Sequence, residues 1–365
     1  MKVAIVHYWL VNMRGGEKML EALLEIFPQA DIYTHVYNPR AVSDAINRHK
    51  IICSRINRLP FAKKLYQLYM PFMPNALMDF DLQSYDLVIS SESGPAKGVI
   101  PNPNAYHICY CHSPMRYIWD LYHEYLRGTK APVRFFMKRL IPSLRIWDIA
   151  SSNIVDRFIT NSRFVAKRIE RIYNRKAKVV YGPVDIGQFA NIERKPTDYY
   201  LFLGQITGYK RADIAIEACI RSGRKLVVAG AGAKKNDIKK YEKSGLVTYK
   251  GRVTDDEIHK LYASAKALLF PGIEDFGLIP VEACASGCPV IAYRMGGAMD
   301  TVKENITGLF FDEQTPESLI QSLDFFEKNE AMFKDRHQFS SHVQQFSKAS
   351  FIERIKRVIE ERKRI

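Results

Sequence analysis

The stretch 267–293 constrains the fold more than any other part of the chain. It opens with a short apolar run that ends at Pro271-Gly272, which is typical of a buried parallel strand. A glycine-containing loop follows, and Pro280 suits the first turn of a helix because proline lacks the N–H group that would be unpaired there. Gly287 then ends the helix before a second apolar run. This order of strand, loop, helix and strand predicts an α/β fold with a parallel sheet.

The loop in this stretch suits a ligand that carries both phosphate and hydroxyl groups. Loops at the carboxyl ends of parallel strands face helix N-termini, where free backbone N–H groups and the positive end of the helix dipole attract anions. Glu274 lies in the loop and Glu282 in the helix, and carboxylates accept hydrogen bonds from sugar hydroxyls. Glu282 alone would also suit an ordinary first helical turn, where the dipole favours acidic residues. The pair together predicts a ligand that combines phosphate with a polyol.

The spacing Glu-x7-Glu of Glu274 and Glu282, with Phe276-Gly277 between them and Ala-x-Gly-x-Pro-Val after them, resembles the signature of the family 4 retaining glycosyltransferases of GT-B fold. The resemblance implies that Glu282 holds the ribose of a nucleotide-sugar donor and that Glu274 lies beside the hydroxyls of the donor sugar. It also implies that the backbone amides of Phe276, Gly277 and Leu278 hold the sugar or phosphate of the donor. The implied fold is two Rossmann-like parallel-sheet domains that face a cleft.

The length and composition of the chain agree with a two-domain globular protein. A chain of 365 residues suits two domains of about 180 residues each, and its 47% hydrophobic and 25% charged residues are ordinary values. We expect an N-terminal acceptor-side domain over residues 1–190, a C-terminal nucleotide-sugar-binding domain over 191–345, and a terminal helix over 346–365 that packs back on the N-terminal domain. The chain starts with a strand rather than a signal peptide and has no window of about 18 apolar residues, so we expect a cytoplasmic protein.

The net charge of +15 lies mainly in the first half of the chain. Residues 1–180 carry 26 Lys and Arg against 14 Asp and Glu, whereas residues 181–365 carry 28 against 25. A basic face suits nucleic acid or an anionic membrane, and the sequence contains no recognisable nucleic-acid module. The segments 61–74 and 122–150 combine aromatic, apolar and basic residues, so they are candidate contacts with the inner face of the plasma membrane. The alternative is that both are core-facing helices with a solvated basic edge.

Two features of the first half are candidate ligand contacts. Gly15-Gly16 opens a helix, and backbone amides at such a position can approach an anion closely, although Gly-Gly alone is more often a simple turn. In the resembled family this loop faces the donor pyrophosphate. His112 lies at the carboxyl end of a strand and matches the family histidine that hydrogen-bonds the donor sugar. The surrounding run, 111–119, is similar to bacterial surface-polysaccharide mannosyltransferases.

The second half carries the remaining candidates. The family pattern is a strand, then Gly-Arg, then a lysine five residues after the arginine, with both cations on the donor pyrophosphate. Lys210 matches the lysine, but Gln205 replaces the arginine, so either Arg211 compensates or the pyrophosphate is less neutralised than usual. The family's nucleobase loop corresponds to three residues after a later strand, namely Gly251, Arg252 and Val253.

The resemblance implies a retaining transferase with GDP-mannose as the first expected donor. The expected acceptor is a lipid-linked oligosaccharide in the synthesis of a surface polysaccharide such as O-antigen. Lys210 and the loop amides are expected to stabilise the leaving diphosphate, with His112 and Glu274 as the other candidate catalytic residues. No Asp-x-Asp is placed as a divalent-cation site, so we expect no metal and no cofactor.

Other functions remain open on the same fold. They are a UDP-sugar-dependent transferase, a GT-B epimerase or phosphorylase, and a catalytically silent scaffold that binds the donor. A dehydrogenase is disfavoured because neither half carries Gly-x-Gly-x-x-Gly after its first strand.

Overall fold

The computed structural model describes residues 1–129, 131–232 and 235–362, and over these ranges the strands form two parallel sheets. The first sheet has the order β3-β2-β1-β4-β5-β6-β7 and the second has the order β10-β9-β8-β11-β12-β13. The predicted α/β class is confirmed. The strands of the first sheet are β1 Val3–His7, β2 Asp31–Thr34, β3 Ile51–Cys53, β4 Leu87–Glu92, β5 Tyr106–Cys111, β6 Arg157–Thr160 and β7 Ala177–Val179. Those of the second are β8 Tyr199–Leu203, β9 Lys225–Ala229, β10 Val247–Gly251, β11 Leu268–Phe270, β12 Val290–Tyr293 and β13 Gly308–Phe311.

Helices connect the strands, as parallel pairing requires. With the first sheet are α1 Gly15–Ile26, α2 Asp44–Asn47, α3 Ala62–Leu65, α4 Met73–Ala76, α5 Tyr122–Arg127, α6 Ala131–Ser151 and α7 Arg163–Tyr173. The remainder are α8 Gly187–Ala190, α9 Ala212–Arg221, α10 Lys235–Glu242, α11 Asp255–Ser264, α12 Leu278–Ala285, α13 Ala298–Thr301, α14 Pro316–Lys328, α15 Arg336–Val343 and α16 Lys348–Glu361. Among the described residues, no helix combines the length and the hydropathy needed to cross a membrane.

The chain divides into two structural units. The first contains Met1–Pro183 and Phe351–Ile365, and the second contains Val184–Ser350. The second unit therefore begins before the expected boundary at residue 190, because the ring of Phe189 packs 5.9 Å from that of Tyr262 in α11. Residues 363–365 of the expected terminal helix lie outside the described residues.

The terminal helix α16 contributes to the core of the first unit. Phe351, Ile355 and Val358 are buried in the same hydrophobic cluster as Val3 and Ile5 of β1. Such spacing at every third or fourth position gives a helix one apolar stripe, and here that stripe covers the sheet.

Strands buried on both faces explain the continuous apolar runs in the sequence. Every residue of β1 and of β4 is buried, and so is every residue of β11. The sequence analysis did not identify β3, because this edge strand has three residues that are all only half-buried.

The segment 61–74 was expected to be one amphipathic or core-facing helix, and the structure differs from this. It contains α3, a 3-10 stretch over Tyr66–Phe72, and the start of α4. Pro71 lies inside the 3-10 stretch and Pro74 in the first turn of α4, and prolines interrupt a continuous helix because they lack the N–H donor.

The strand orders fix where each unit can bind a ligand. In both sheets the order reverses beside the first strand, between β1 and β4 and between β8 and β11. Ligands of open parallel sheets bind at such a switch point, at the carboxyl ends of the strands. The residues that follow β1, β4, β8 and β11 are therefore the first candidates for a site.

Candidate functional site

The loop between β11 and α12 is held in one conformation by close backbone contacts. The N–H of Gly297 donates to the carbonyl of Glu274 at 2.8 Å. A side chain at Gly297 would place its Cβ 2.3 Å from the carbonyl oxygen of Phe276, so only glycine fits. Gly277, just before α12, has φ +90°, a conformation that other residues rarely adopt. The predicted donor loop is thus rigidly positioned at the N-terminus of α12.

Lys210 and Glu274, two of the predicted catalytic residues, form an ion pair with each other. The Nζ atom of Lys210 lies 2.7 Å from Oε1 of Glu274, and the two side chains are only 13% and 19% exposed. Two glycines make this possible. A Cβ at Gly272 would lie 2.6 Å from the Cα of Lys210, and one at Gly204 would lie 3.2 Å from its Nζ. The lysine therefore lies across the carboxyl ends of β8 and β11, at the switch point.

The carboxylate of Glu282 is oriented by a buried tyrosine. The hydroxyl of Tyr262 donates to Oε2 of Glu282 at 3.3 Å and also lies 3.4 Å from the carbonyl of Ile279. Burial raises the pKa of Tyr262 well above its usual value, and the charge of Glu282 raises it further, so the phenol stays a donor. A carboxylate has about four acceptor positions and can therefore accept from more than one donor. Sequence reasoning missed Tyr262, because the only signal for it in the sequence is its position in an amphipathic helix.

Gln205 and Arg211 follow β8 in the same loop as Lys210. The side chain of Gln205 is exposed. The guanidinium of Arg211 donates to the carboxylate of Asp213 at 2.9 Å and to Oε1 of Gln314 at 3.2 Å. Arg211 is thus paired with a carboxylate in this structure, as Lys210 is with Glu274.

The predicted nucleobase loop lies at the carboxyl end of β10. Gly251 has φ +69°, and its carbonyl accepts from the N–H of Gly230 at 2.7 Å. Arg252 is exposed and Val253 is half-buried. These residues belong to the same unit as Lys210 and Glu274.

The first unit contains the predicted residues Gly15, Gly16 and His112. Gly15 and Gly16 are the first two residues of α1. A Cβ at Gly16 would lie 2.2 Å from the hydroxyl oxygen of Tyr8, so this glycine is required by the tyrosine that follows β1. His112 directly follows β5, and its backbone N–H donates to the backbone carbonyl of Glu92 at 2.8 Å.

A chain of polar contacts runs from His112 through Ser91 and His7 towards Glu17 of α1, and sequence reasoning missed it. Oγ of Ser91 lies 3.0 Å from Nε2 of His112 and 2.9 Å from Nδ1 of His7. Nε2 of His7 lies 3.8 Å from Oε1 of Glu17. His7 ends β1 and Ser91 is the second-last residue of β4, and the register of these two strands pairs them directly. The signal in the sequence was a polar residue near the end of each strand beside the switch point.

Burial decides the protonation of His112. Desolvation lowers its pKa to about 3, and the neighbouring His7 adds to this. The imidazole is therefore neutral near pH 7, and a neutral imidazole offers one donor and one acceptor nitrogen. This suits a hydrogen bond to a hydroxyl rather than to a charged phosphate.

A fully buried ionic cluster begins at Glu92, the residue that follows Ser91 in β4. Nζ of Lys97 lies 2.7 Å from Oε1 of Glu92 and also contacts Oδ1 of Asp148. Nε1 of Trp119 and the hydroxyl of Tyr173 donate to Oδ2 of Asp148 at 2.7 and 2.9 Å. The cluster ties the loop after β4 to α6 and fixes the end of β4, which carries Ser91.

Acidic residues that could suggest a metal have other partners. The sequence contains Asp79-x-Asp81, but the carboxylate of Asp79 accepts from Nε of Arg55 at 2.8 Å. In the described part of the chain, no group of three or more His, Cys, Asp and Glu side chains is placed to hold a metal ion.

Two protein-family models match the chain in adjacent ranges. The model described as Glycosyltransferase Family 4 matches residues 13–188, and the model described as Glycosyl transferases group 1 matches residues 186–363. Between them they span both sheets. The chain belongs to glycosyltransferase family 4.

Two known glycosyltransferases are similar to parts of this family 4 chain. An uncharacterized glycosyltransferase of Methanocaldococcus jannaschii is 29% identical over 196 residues, which are 46% of this chain and 49% of that protein. A D-inositol 3-phosphate glycosyltransferase of Mycolicibacterium smegmatis is 28% identical over 181 residues, 43% of this chain and 42% of that one. The chain thus spans about half the length of these relatives.

The whole of this family 4 chain has the fold of solved glycosyltransferase structures. Anabaena HepE, solved in complex with UDP, superposes with a TM-score of 0.71 and 14% identity, covering 99% of this chain and 100% of that one. At this identity the likeness shows the fold alone. The predicted GT-B fold, with two Rossmann-like domains, is confirmed.

Proposed function

We propose that the chain is a retaining glycosyltransferase that moves a sugar from a nucleotide donor. The observation that carries the proposal is the Lys210–Glu274 ion pair at the carboxyl ends of β8 and β11. It places a cation and a carboxylate beside the N-terminus of α12, with Glu282 farther along that helix. A cation and the backbone amides at a helix N-terminus suit a diphosphate, and two carboxylates suit the hydroxyls of ribose and sugar.

In the proposed reaction the bond between the anomeric carbon and the diphosphate oxygen breaks. A bond from the anomeric carbon to an acceptor hydroxyl oxygen forms on the same face, and the hydroxyl proton passes to the leaving diphosphate, which acts as the base. Negative charge grows on that diphosphate, where Lys210 and the amides of Phe276, Gly277 and Leu278 stabilise it. We assign Glu282 to the ribose and the neutral imidazole of His112 to a donor-sugar hydroxyl.

GDP-mannose is the first donor that we propose, because the run 111–119 resembles mannosyltransferases of surface polysaccharides. UDP-sugars are the alternative, since HepE was solved with UDP-glucose. A thermal-shift panel of GDP, UDP, ADP, GDP-mannose and UDP-sugars separates the two. A ligand at a hundred times its dissociation constant stabilises the folded state by about 2.7 kcal/mol. Selective stabilisation by UDP species would keep the transferase and discard GDP-mannose.

The acceptor that we propose is a lipid-linked oligosaccharide at the inner face of the plasma membrane, in the synthesis of a surface polysaccharide such as O-antigen. The basic first half of the chain supports this assignment, because the phosphates that link such an acceptor to its lipid are anionic. Transfer of radiolabelled mannose from GDP-mannose to a lipid-extractable product tests it.

The same assay separates the rival functions. An epimerase would convert the sugar nucleotide without an acceptor, and a phosphorylase would require inorganic phosphate. A silent scaffold would bind the nucleotide without turnover. Full donor affinity in Glu282→Ala would remove the basis of the proposed donor site.

We also propose that transfer needs no metal, because Lys210 and the amides at α12 would provide the positive charge for the diphosphate. Activity should survive treatment with a chelator. Loss of activity that Mn²⁺ restores would contradict this.

A further inference from the structure

Helix α6 carries large apolar side chains on the side that faces away from the protein. Its inner residues Ile141 and Leu144 are buried in a cluster with Met115 and Ile118. Several exposed side chains are nevertheless apolar, namely Phe135 at 64%, Phe136 at 61% and Ile146 at 71%, with Val133, Leu140 and Ile149 exposed to a lesser extent, and basic residues such as Arg139 lie among them. A helix of a soluble domain normally has a polar outer face, so this second apolar face requires a partner.

A basic groove lies beside this face, between α5 and the start of α6. It has a volume of about 680 Å³ and is lined by Tyr122, His123, Leu126, Arg127, Arg134 and Lys138. Arg134 and Lys138 are one helical turn apart, so their cations share one side of α6. An Nη2 donor of Arg134 holds the carbonyl of Thr129 at 2.9 Å, which fixes the direction of its guanidinium.

This region is strongly basic along the chain, with Glu124 of α5 just before it and Asp148 just after it. The sequence from 125 to 147 contains no Asp or Glu but has the cations Arg127, Lys130, Arg134, Lys138, Arg139 and Arg145. Like charges at this density repel one another, so the arrangement favours an anionic ligand.

A second exposed apolar segment adjoins the end of α6. Phe61, Phe72 and Met78 are each more than 60% exposed. This segment meets α6 at Gly98, where a Cβ would lie 2.3 Å from the ring of Trp147 and 3.3 Å from Leu77. The apolar surface of the first unit therefore includes both segments.

We propose that the α5–α6 groove binds the phosphate of an anionic bilayer lipid while the outer face of α6 enters the membrane interface. Arginine matches the oxygens of a phosphate with two parallel hydrogen bonds, and lysine adds a point charge. Aromatic and aliphatic side chains beside a basic face are the composition of interfacial helices. A soluble phosphate would occupy the groove only and would leave Phe135, Phe136 and Ile146 in water, so a lipid accounts for both features.

Flotation of the full chain with vesicles tests the proposal and needs neither donor nor acceptor, so its outcome is independent of glycosyl transfer. We expect binding to vesicles that contain phosphatidylglycerol and much weaker binding to phosphatidylcholine alone. Arg134→Glu combined with Lys138→Glu should weaken binding by at least about tenfold, since each basic residue near an anionic surface contributes appreciably. The matched control is Lys50→Glu combined with Lys356→Glu, which changes two exposed lysines of the same unit and gives the same net charge.

The apolar face is tested in the same way. Phe135→Ser combined with Phe136→Ser should also abolish most binding, whereas Phe325→Ser combined with Met332→Ser, at exposed positions in the second unit, should not. Equal loss in the groove variant and its charge control would overturn the groove assignment. Titration with inorganic phosphate forms the last arm. Groove-dependent phosphate binding without vesicle binding would identify a soluble phosphate site and overturn the lipid.

Discussion

At the residue scale, the carboxylate of Glu274 and the diphosphate of a donor compete for the ammonium group of Lys210. The separation of 2.7 Å between Lys210 and Glu274 means that a donor diphosphate must share the lysine with the carboxylate. We predict that Lys210→Met lowers kcat/KM by about 10²- to 10³-fold, the usual effect of removing one charge-stabilising donor. Glu274→Gln should also lower kcat but should tighten nucleoside diphosphate binding by about tenfold, or about 1.4 kcal/mol, because the lysine is released.

Isothermal titration calorimetry with GDP and UDP measures these opposite effects on binding. Lys225→Met is the control, because Lys225 is an exposed residue of the same unit whose partner is Asp198. If Glu274→Gln weakened diphosphate binding as much as Lys210→Met does, the competition would not exist.

Ser91 is predicted to position the ring of His112. Ser91→Ala leaves one nitrogen each of His7 and His112 without the hydroxyl, which should cost about 1 to 3 kcal/mol of unfolding free energy. It should also lower kcat with little change in KM, and the ¹⁵N shifts of His112 should report a changed tautomer balance.

Ser90→Ala provides a matched comparison one residue away. The hydroxyl of Ser90 lies 2.9 Å from Nε2 of the buried His107, so its removal should carry a similar cost in stability. It should leave kcat and the His112 shifts unchanged. Equal loss of kcat in the two variants would show that Ser91 acts only through stability.

At the scale of elements, the Lys97 ammonium joins the loop after β4 to α6. Burial and Asp148 raise the pKa of Glu92, and Lys97 counters this effect. Lys97→Met leaves two buried carboxylates without their cation, so we predict a loss of about 3 to 5 kcal/mol in unfolding free energy. A carboxyl group with a raised pKa in the folded state stabilises that state only while it is protonated. The stability of Lys97→Met relative to the wild type should therefore fall as the pH rises from 5 to 8.

Urea unfolding across this pH range measures the effect. Adding Glu92→Gln and Asp148→Asn to Lys97→Met should restore much of the stability and make the difference from the wild type independent of pH, because no charge remains in the cluster. A pH-independent loss in the single variant would indicate a packing defect rather than uncompensated carboxylates.

The sequence predicted the features that depend on residues close together in the chain, and it missed the contacts between residues that are far apart in the chain. The strand, loop and helix around Glu274 and Glu282 were predictable because turn residues and apolar runs are local signals. The pairing of Lys97 with Asp148 joins positions 51 residues apart, and that of His7 with Ser91 joins positions 84 apart. Such residues meet only because of the order of the strands in a sheet. For the same reason the sequence did not predict the contact between Lys210 and Glu274, although both residues were candidates.

At the scale of the whole molecule, acid should unfold the first unit before the second. Burial lowers the pKa of His35 and His107 to about 4 and that of His112 to about 3, and all three lie in the first unit. In the second unit, burial lowers the pKa of His342. Each of the three histidines of the first unit is neutral when folded and gains a proton when unfolded below about pH 6.5. Their contribution to stability is complete above that pH and falls by about 1.4 kcal/mol per histidine and pH unit as the pH decreases towards 4.5.

The three tryptophans of the sequence, Trp9, Trp119 and Trp147, also belong to the first unit, so their fluorescence reports on this unit alone. The fluorescence transition should precede the full loss of far-ultraviolet circular dichroism during acid titration. In urea unfolding followed by fluorescence, His107→Gln should reduce the pH slope of stability by about one proton, whereas the exposed His337→Gln should not change it. Coincident transitions in both signals would mean that the two units unfold together, because the second unit could not then survive the protonation of the first.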